Sequence, residues 1–381
     1  MENIDFSGKT VGRANGIGGA SISSSSSHIN QQFAKPMGIT DFFSQIVPMI
    51  CDDTAFTKSL PAVELWDGVM VDVTGVVFWL QRGSPLDFAK SMLQYLPSKA
   101  KHYFIVSDND ERKLSEKDLT RASRTRAQRY DVPFVRFEHE GAVDEDGSIV
   151  ETEFECSRLM SDRVSRAALL DYLARTLKNQ GAWPKDAQVD IRMNHDSTEA
   201  EADMALFNFA LEQKLVGDVV VVSGDSDVAM LLLLACHHNL VAGTLRIYMN
   251  RGPHGIFELH RFAQSLVSTR KISIPAFFLL CVCAGNDFVM KRWMSDRVSV
   301  KTMTARLLAE ASKFTELKLT PETYRAELEK FLSVVCPQSK HVDWDKCEQG
   351  DGSKSQRAGA EMQVVPWTQL KFILDYWYLA P

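Results

Sequence analysis

Disulfides, zinc and membrane insertion are what this sequence first fails to support. Its 381 residues include seven cysteines, an odd number, and no C-x-x-C pair. That usage excludes a paired disulfide framework and a zinc signature, and it suits a reducing compartment. The longest uncharged apolar run, Ile274 to Gly285, is far shorter than the ~20 residues a membrane helix needs. An apolar h-region is missing at the N-terminus, so secretion is not expected. No internal repeat is present. Positive charge is not in excess either: the net charge is −6, which by itself argues against a nucleic-acid partner. That argument lapses if the acids are gathered in one place and the bases in another.

What is present is an ordinary globular composition, 45% apolar and 24% charged, enough for a sizeable core. Residues 1–36 are the exception. They carry the run SISSSSS (Ser21–Ser27) and almost no apolar periodicity, and are expected to be a disordered Ser/Gly-rich extension. Glu2 and Asp5 suit a mitochondrial presequence poorly, so an intracellular location in cytoplasm or nucleus is expected. At Met37 a second beginning, MGITDFF, opens a different pattern; Phe42 stands where a myristoylation motif wants Ser or Thr.

From there, short β-rich runs alternate with helical stretches. VMVDV (Val69–Val73), YFIV (Tyr103–Val106) and VVVV (Val219–Val222) are separated by the helix-like LDFAKSMLQYL and EADMALFNFALEQKL. Continuous apolar strands between helices predict an α/β fold with a mainly parallel twisted sheet flanked by helices. An Asp146-Gly147 turn between alternating residues predicts a hairpin insertion near 131–160. The expected division is a catalytic domain over 37–290 and a helical region over 291–381, with a polar loop near 337–362 and an aromatic end, PWTQLKFILDYWYLAP.

Acids fall at the ends of the apolar runs. Asp72 lies in VMVDVTG, Asp108 ends YFIVSD, Asp225 and Asp227 end VVVVSGDSD, and Asp287 ends FFLLCVCAGND. Glu199 and Glu201 stand in STEAEAD at the start of a helix. The carboxyl ends of parallel strands are where α/β sheets bind ligands. So many carboxylates in one cleft repel unless cations neutralise them, and hard oxygen donors suit two Mg²⁺ or Mn²⁺. Each acid also has a plain structural reading. An aspartate after a strand is commonly a turn residue, and Thr198-x-x-Glu201 reads equally well as a capping box. The Asp225/Asp227 pair after four valines serves a turn poorly, and the set as a whole points to chemistry.

These motifs resemble the 5′-nuclease superfamily: flap endonucleases, XPG-type nucleases and XRN-type 5′→3′ exoribonucleases. The resemblance spans about residues 37–290. MGITDFF is similar to that family's start, VMVDVTGVVFWL and YFIVSD to its first two acidic strands, STEAEAD to its E-x-E motif, VVVSGDSDVAMLLL to its D-x-D motif, and CAGNDF to its last acidic motif. It implies a PIN-like core, with Asp72, Asp108, Glu199 and Glu201 binding one metal and Asp225, Asp227 and Asp287 the other. Asp110 competes with Asp108 for its place, because SDND leaves the register open. The resemblance also implies that Gly38 packs near the active site.

The segment KLSEKDLTRASRTRAQR supplies cations. Lys113, Lys117, Arg121 and Arg124 recur at helical spacing and share one face. Read alone this is a solvated helix with local ion pairs; its place after Asp108 implies a phosphate-holding helix instead. GNDF and DSDVAMLLLLACHH sit nearer the XRN type, and FVMKRWMSDRVSVKTMTARLL lacks the glycine-rich hairpin of flap endonucleases. RNA is therefore the favoured partner over DNA, with no membrane partner and a monomer expected. Two other classes compete: a binding scaffold that has lost catalysis, and an unrelated hydrolase of small phosphate esters. His237-His238 is read as flanking the end of a hydrophobic helix and His195 as a loop residue, neither with a role.

Overall fold

The four valines Val219–Val222 explain the centre of the molecule. In the computed structural model they lie in a strand whose neighbours on both sides are parallel, and all four are fully buried. A strand covered on both faces has no polar face to alternate with, so it reads as a continuous apolar run. The structure describes residues 38–39, 41–109, 136–138, 141–144, 146–161, 163–180, 183–196, 201–284, 298–320 and 323–337. The extension 1–36, the basic segment 113–129, the loop near 337–362 beyond its first residue, and the aromatic end lie outside the described residues.

The protein is α/β. Seven strands form the main sheet: β1 (Phe56–Thr57), β2 (Gly68–Asp72), β3 (His102–Val106), β4 (Gln188–Arg192), β5 (Gly217–Val222), β6 (Leu245–Asn250) and β7 (Ile256–Glu258). Their order is β1-β7-β6-β5-β2-β3-β4. The pairs from β6 to β4 are parallel, and β7 and β1 add antiparallel strands at one edge. The chain runs from β2 outward to β3 and β4, then returns to place β5 on the other side of β2. The strand order therefore reverses between β2 and β5, the kind of position where α/β sheets open a crevice at their carboxyl ends.

Period-two alternation divides the core in two. Met70, Phe104, Val106, Val219, Val221, Ile247 and Met249 face one cluster, while Val69, Val71, Tyr103, Ile105, Val220 and Val222 face the other. The first face is covered by α5 (Ala202–Gln213), α6 (Ser226–Ala242), α7 (Leu259–Gln264) and α8 (Ile274–Ala284). The second is covered by α2 (Val73–Val77), α3 (Pro85–Leu93) and α4 (Arg163–Gln180). A short helix, α1 (Val47–Cys51), follows Phe42–Ile46 into the first cluster, and α9 (Val300–Ala309) and α10 (Tyr324–Val335) close it from the C-terminal side. Away from the main sheet, Val143 pairs antiparallel with Ile149 across the Asp146-Gly147 turn, and Arg82–Gly83 pairs with Phe154–Glu155.

Two readings need correction. The run before Asp287 was grouped with the strand ends, but Ile274–Ala284 is a helix, buried on every side. Its eleven residues exceed the usual strand length, and a run without charge carries no period to separate the two cases. His237 and His238 lie inside α6 rather than beyond it, and the helix continues to Ala242. No single helix among the described residues is long and apolar enough to cross a membrane.

Leu232 in α6 is fully buried, whereas Val216 is 58% exposed. Leu232→Ala should lower the unfolding free energy by about 3 kcal/mol through lost transfer energy and a residual cavity, while Val216→Ala should leave it nearly unchanged. Urea denaturation of the two variants checks this.

Candidate functional site at the carboxyl edge of the sheet

Strand register brings the acids to one edge. Asp72 pairs with Val106, Val71 with Val222, and Val222 with Asn250, so the four strands β3, β2, β5 and β6 end together. Just beyond β2 and β5 the chain turns into helices, and both of these turns are capped by a carboxylate. Asp72 is the N-cap of α2, where its Oδ1 accepts a hydrogen bond from the Gly75 N–H at 3.1 Å. Its Oδ2 accepts one from the Ser223 hydroxyl at 3.2 Å, which ties the end of β2 to the end of β5. Ser223 Oγ also accepts from the Asp225 N–H at 3.1 Å. Asp225 is the N-cap of α6 and accepts from the Asp227 N–H at 2.8 Å.

Asp108 connects the other side. Its N–H donates to Thr74 Oγ1 at 3.2 Å, and its Oδ1 accepts from the Ala202 N–H at 3.0 Å. Asp108 thereby satisfies the start of α5 from 94 residues away. That finding overturns the capping-box reading of Glu201. Helix α5 begins at Ala202, so Glu201 occupies the N-cap position rather than the third helical position, and its side chain makes no capping hydrogen bond. Glu201 is nonetheless buried, at 6% exposure.

Asp72, Asp108, Glu201 and Asp227 are all buried, with Asp225 partly exposed among them. Helix N-termini carry partial positive charge, and α2, α5 and α6 all present theirs here, which offsets part of the cost of burying these carboxylates. The apolar helix α8 reaches the same edge: burial, with the charge of Asp227 adding to it, holds the Cys281 thiol well above its ordinary range.

Gly38 completes the edge. It is buried at φ +96°, a conformation that side chains avoid, and a Cβ there would run into Asp225 Oδ1 and Ser226 Oγ. Ser226 Oγ donates to the Ile39 carbonyl at 3.4 Å. The segment opening with Gly38 is therefore laid directly against the start of α6.

The structure thus sets Gly38, Asp72, Asp108, Glu201, Asp225 and Asp227 along one edge of the sheet. Glu199, Asp287, Asp110, Lys113, Lys117, Arg121 and Arg124 lie outside the described residues. Among the described residues, no three His, Cys, Asp or Glu side chains form a group that could hold a metal ion. In kind, however, the donor set is all carboxylate oxygen, which suits Mg²⁺ or Mn²⁺. Sequence reasoning passed over Asp203, which is buried in the first turn of α5 and accepts from the Met204 N–H at 2.8 Å. The signal was available, since Asp203 closes the STEAEAD motif. It also passed over Ser107 and Ser223, the fully buried serines that link the strand ends.

Comparison of the chain with protein-family models gives no match, and comparison with curated proteins gives none either.

Gly38→Ala should destabilise the protein by about 2 kcal/mol from the backbone conformation alone, with a further loss from the contact at Asp225. Urea unfolding measures the loss. An unchanged midpoint would mean that the 38–41 segment relaxes away from α6 at no cost.

Proposed function

We propose that this chain is a divalent-metal-dependent nuclease of the 5′-nuclease type, hydrolysing phosphodiester bonds at or near the 5′ end of a nucleic acid, with single-stranded RNA the favoured substrate. One observation supports the reading: buried carboxylates from four separate stretches of sequence line the carboxyl edge of the sheet around the point where the strand order reverses, with Gly38 against Asp225. Turn formation explains any one of these acids, but it does not call for four of them buried along a single edge.

On this reading Asp72, Asp108, Glu199 and Glu201 would hold one ion, and Asp225, Asp227 and Asp287 the other. Two such ions, when bound, supply an activated water and stabilise the departing 3′-oxygen. The chain's own part is to fix geometry. Ser223 locks Asp72 to the start of α6, and Asp108 locks β3 to the start of α5, so the carboxylates are held by backbone rather than by flexible loops. Lys113, Lys117, Arg121 and Arg124 would orient the phosphates of the substrate.

A second reading has its own support. Asp72, Asp108 and Asp225 each cap a helix, a task that would retain them in a nucleic-acid or protein-binding scaffold without catalysis. Asparagine separates the two readings, because it caps a helix as well as aspartate does but lacks the charge.

The test uses the full chain with 5′-phosphorylated single-stranded RNA and with a DNA flap, each in Mg²⁺ and in chelator. Mg²⁺-dependent loss of the RNA is expected, and Asp225→Asn should slow it by about 100-fold or more while leaving the unfolding midpoint in place. Loss of the flap instead of the RNA would favour a structure-specific DNA endonuclease. Wild-type binding without cleavage of either would establish the scaffold reading.

A further inference from the structure

At the edge of the sheet one strand beyond β5, Arg251 has no carboxylate partner among the described residues. It follows β6 directly, and Asn250 beside it accepts a hydrogen bond from the Ser223 N–H at 3.2 Å, so Arg251 stands next to the turn that leads to Asp225. Its guanidinium lies over the Phe43 ring, 3.6 Å from the ring centroid, with Phe56 at 5.9 Å. Among the described residues its side chain makes no ion pair and no hydrogen bond, and its Nε is buried without a partner. Burial alone pushes the group down to about 10, the direction expected of a cation stripped of water with no anion beside it.

The surroundings hold it in place. Gly252 packs on Trp79, where a Cβ would come within 2.5 Å of the indole, and at φ +58° it turns the loop sharply. Trp79 is itself braced edge-on against Tyr95. Three residues along, the exposed His254 is shifted down by burial and then by the positive charge of Arg251, so the two basic groups share one field. Stacking on Phe43 occupies the face of the guanidinium, and among the described residues its in-plane N–H donors have no partner, with Nε buried and the two terminal nitrogens forming the open fork. That fork matches the two oxygens of a phosphate.

We infer that Arg251, with His254 beside it, is a phosphate-binding subsite that holds the nucleic-acid backbone one strand away from the acidic edge. The inference rests on the proposed nuclease reading for its choice of ligand. It differs from that reading in placing a cation on the β6 side, where the 113–129 segment is not invoked.

The experiment measures anisotropy of labelled 5′-phosphorylated single-stranded RNA with the full chain in Ca²⁺, over a salt series, for wild type, Arg251→Gln and Arg251→Lys. Arg251→Gln should weaken binding about tenfold and reduce the salt slope by about one ion, and Arg251→Lys should recover part of the affinity. Equal affinities and slopes for all three proteins would overturn the inference. In parallel, the Arg251 Nε–H resonance of ¹⁵N-arginine-labelled protein, assigned by its absence in Arg251→Gln, is followed during titration with inorganic phosphate. A saturable shift is expected. If wild type binds no RNA, the nuclease reading falls by itself, and the titration decides the subsite: saturation keeps the anion site, and a flat response removes it. Thermal unfolding of each variant separates loss of the ligand contact from loss of the Arg251–Phe43 stack.

Discussion

The structure depends on how its strands end. Parallel strands leave their last carbonyls and the first amides of the following helices at one edge, and buried amides demand acceptors. Here the acceptors are carboxylates. Asp72, Asp108 and Asp225 satisfy helix starts, and Ser223 passes hydrogen bonds between two of them. The same atoms therefore close the backbone accounting and concentrate negative charge in one place. Architecture and chemistry are not separable at this edge, because moving any of these acids would unsettle a helix as well as a site.

The opposite edge of the sheet is managed differently, by ion pairs. Asp67 accepts from the Asp218 N–H at 3.0 Å and from Lys101, while Arg246 pairs with Asp218. Hydrogen bonds and nearby cations hold the Asp67 carboxyl below its usual range, despite burial acting against them as the largest single influence. There each acid has its base at hand. At the carboxyl edge Asp72, Asp108 and Asp225 accept from amides and a hydroxyl, and Arg251 stands close by with no carboxylate partner among the described residues.

Much of the fold was legible in the sequence because its central strands are unusually pure. VVVV has no polar position, so only a strand covered on both faces accommodates it, and that fixed the parallel sheet. The antiparallel edge was not legible, since Phe56–Thr57 and Ile256–Glu258 are too short to show a period. Ile274–Ala284 was misread for a related reason: eleven apolar residues carry no alternation of any kind, and length alone told helix from strand. At the site, the acids were visible as residues that interrupt or end apolar runs. What could not be read was their division of labour. Asp108 caps a helix that begins 94 residues later, and no local pattern reports a contact of that range. Glu201 looked like a capping residue because its neighbours spell the motif, yet the helix starts after it.

That long-range cap has a consequence for the order in which the molecule assembles. Asp72 meets Ser223 across 151 residues, Ser226 meets Ile39 across 187, and Asp108 meets Ala202 across 94. Contacts so distant in sequence bear a large loop-closure cost. The helices and the strand pairs nearest in sequence can gather before this edge is joined. Its carboxylates, drawn from the first third to the middle of the chain, come into register only as the sheet closes on both sides of β2. The β2–β5 strand pairing spans the same 151 residues as the Asp72–Ser223 bond, so the acids are brought into register by the very pairing that builds the centre of the sheet.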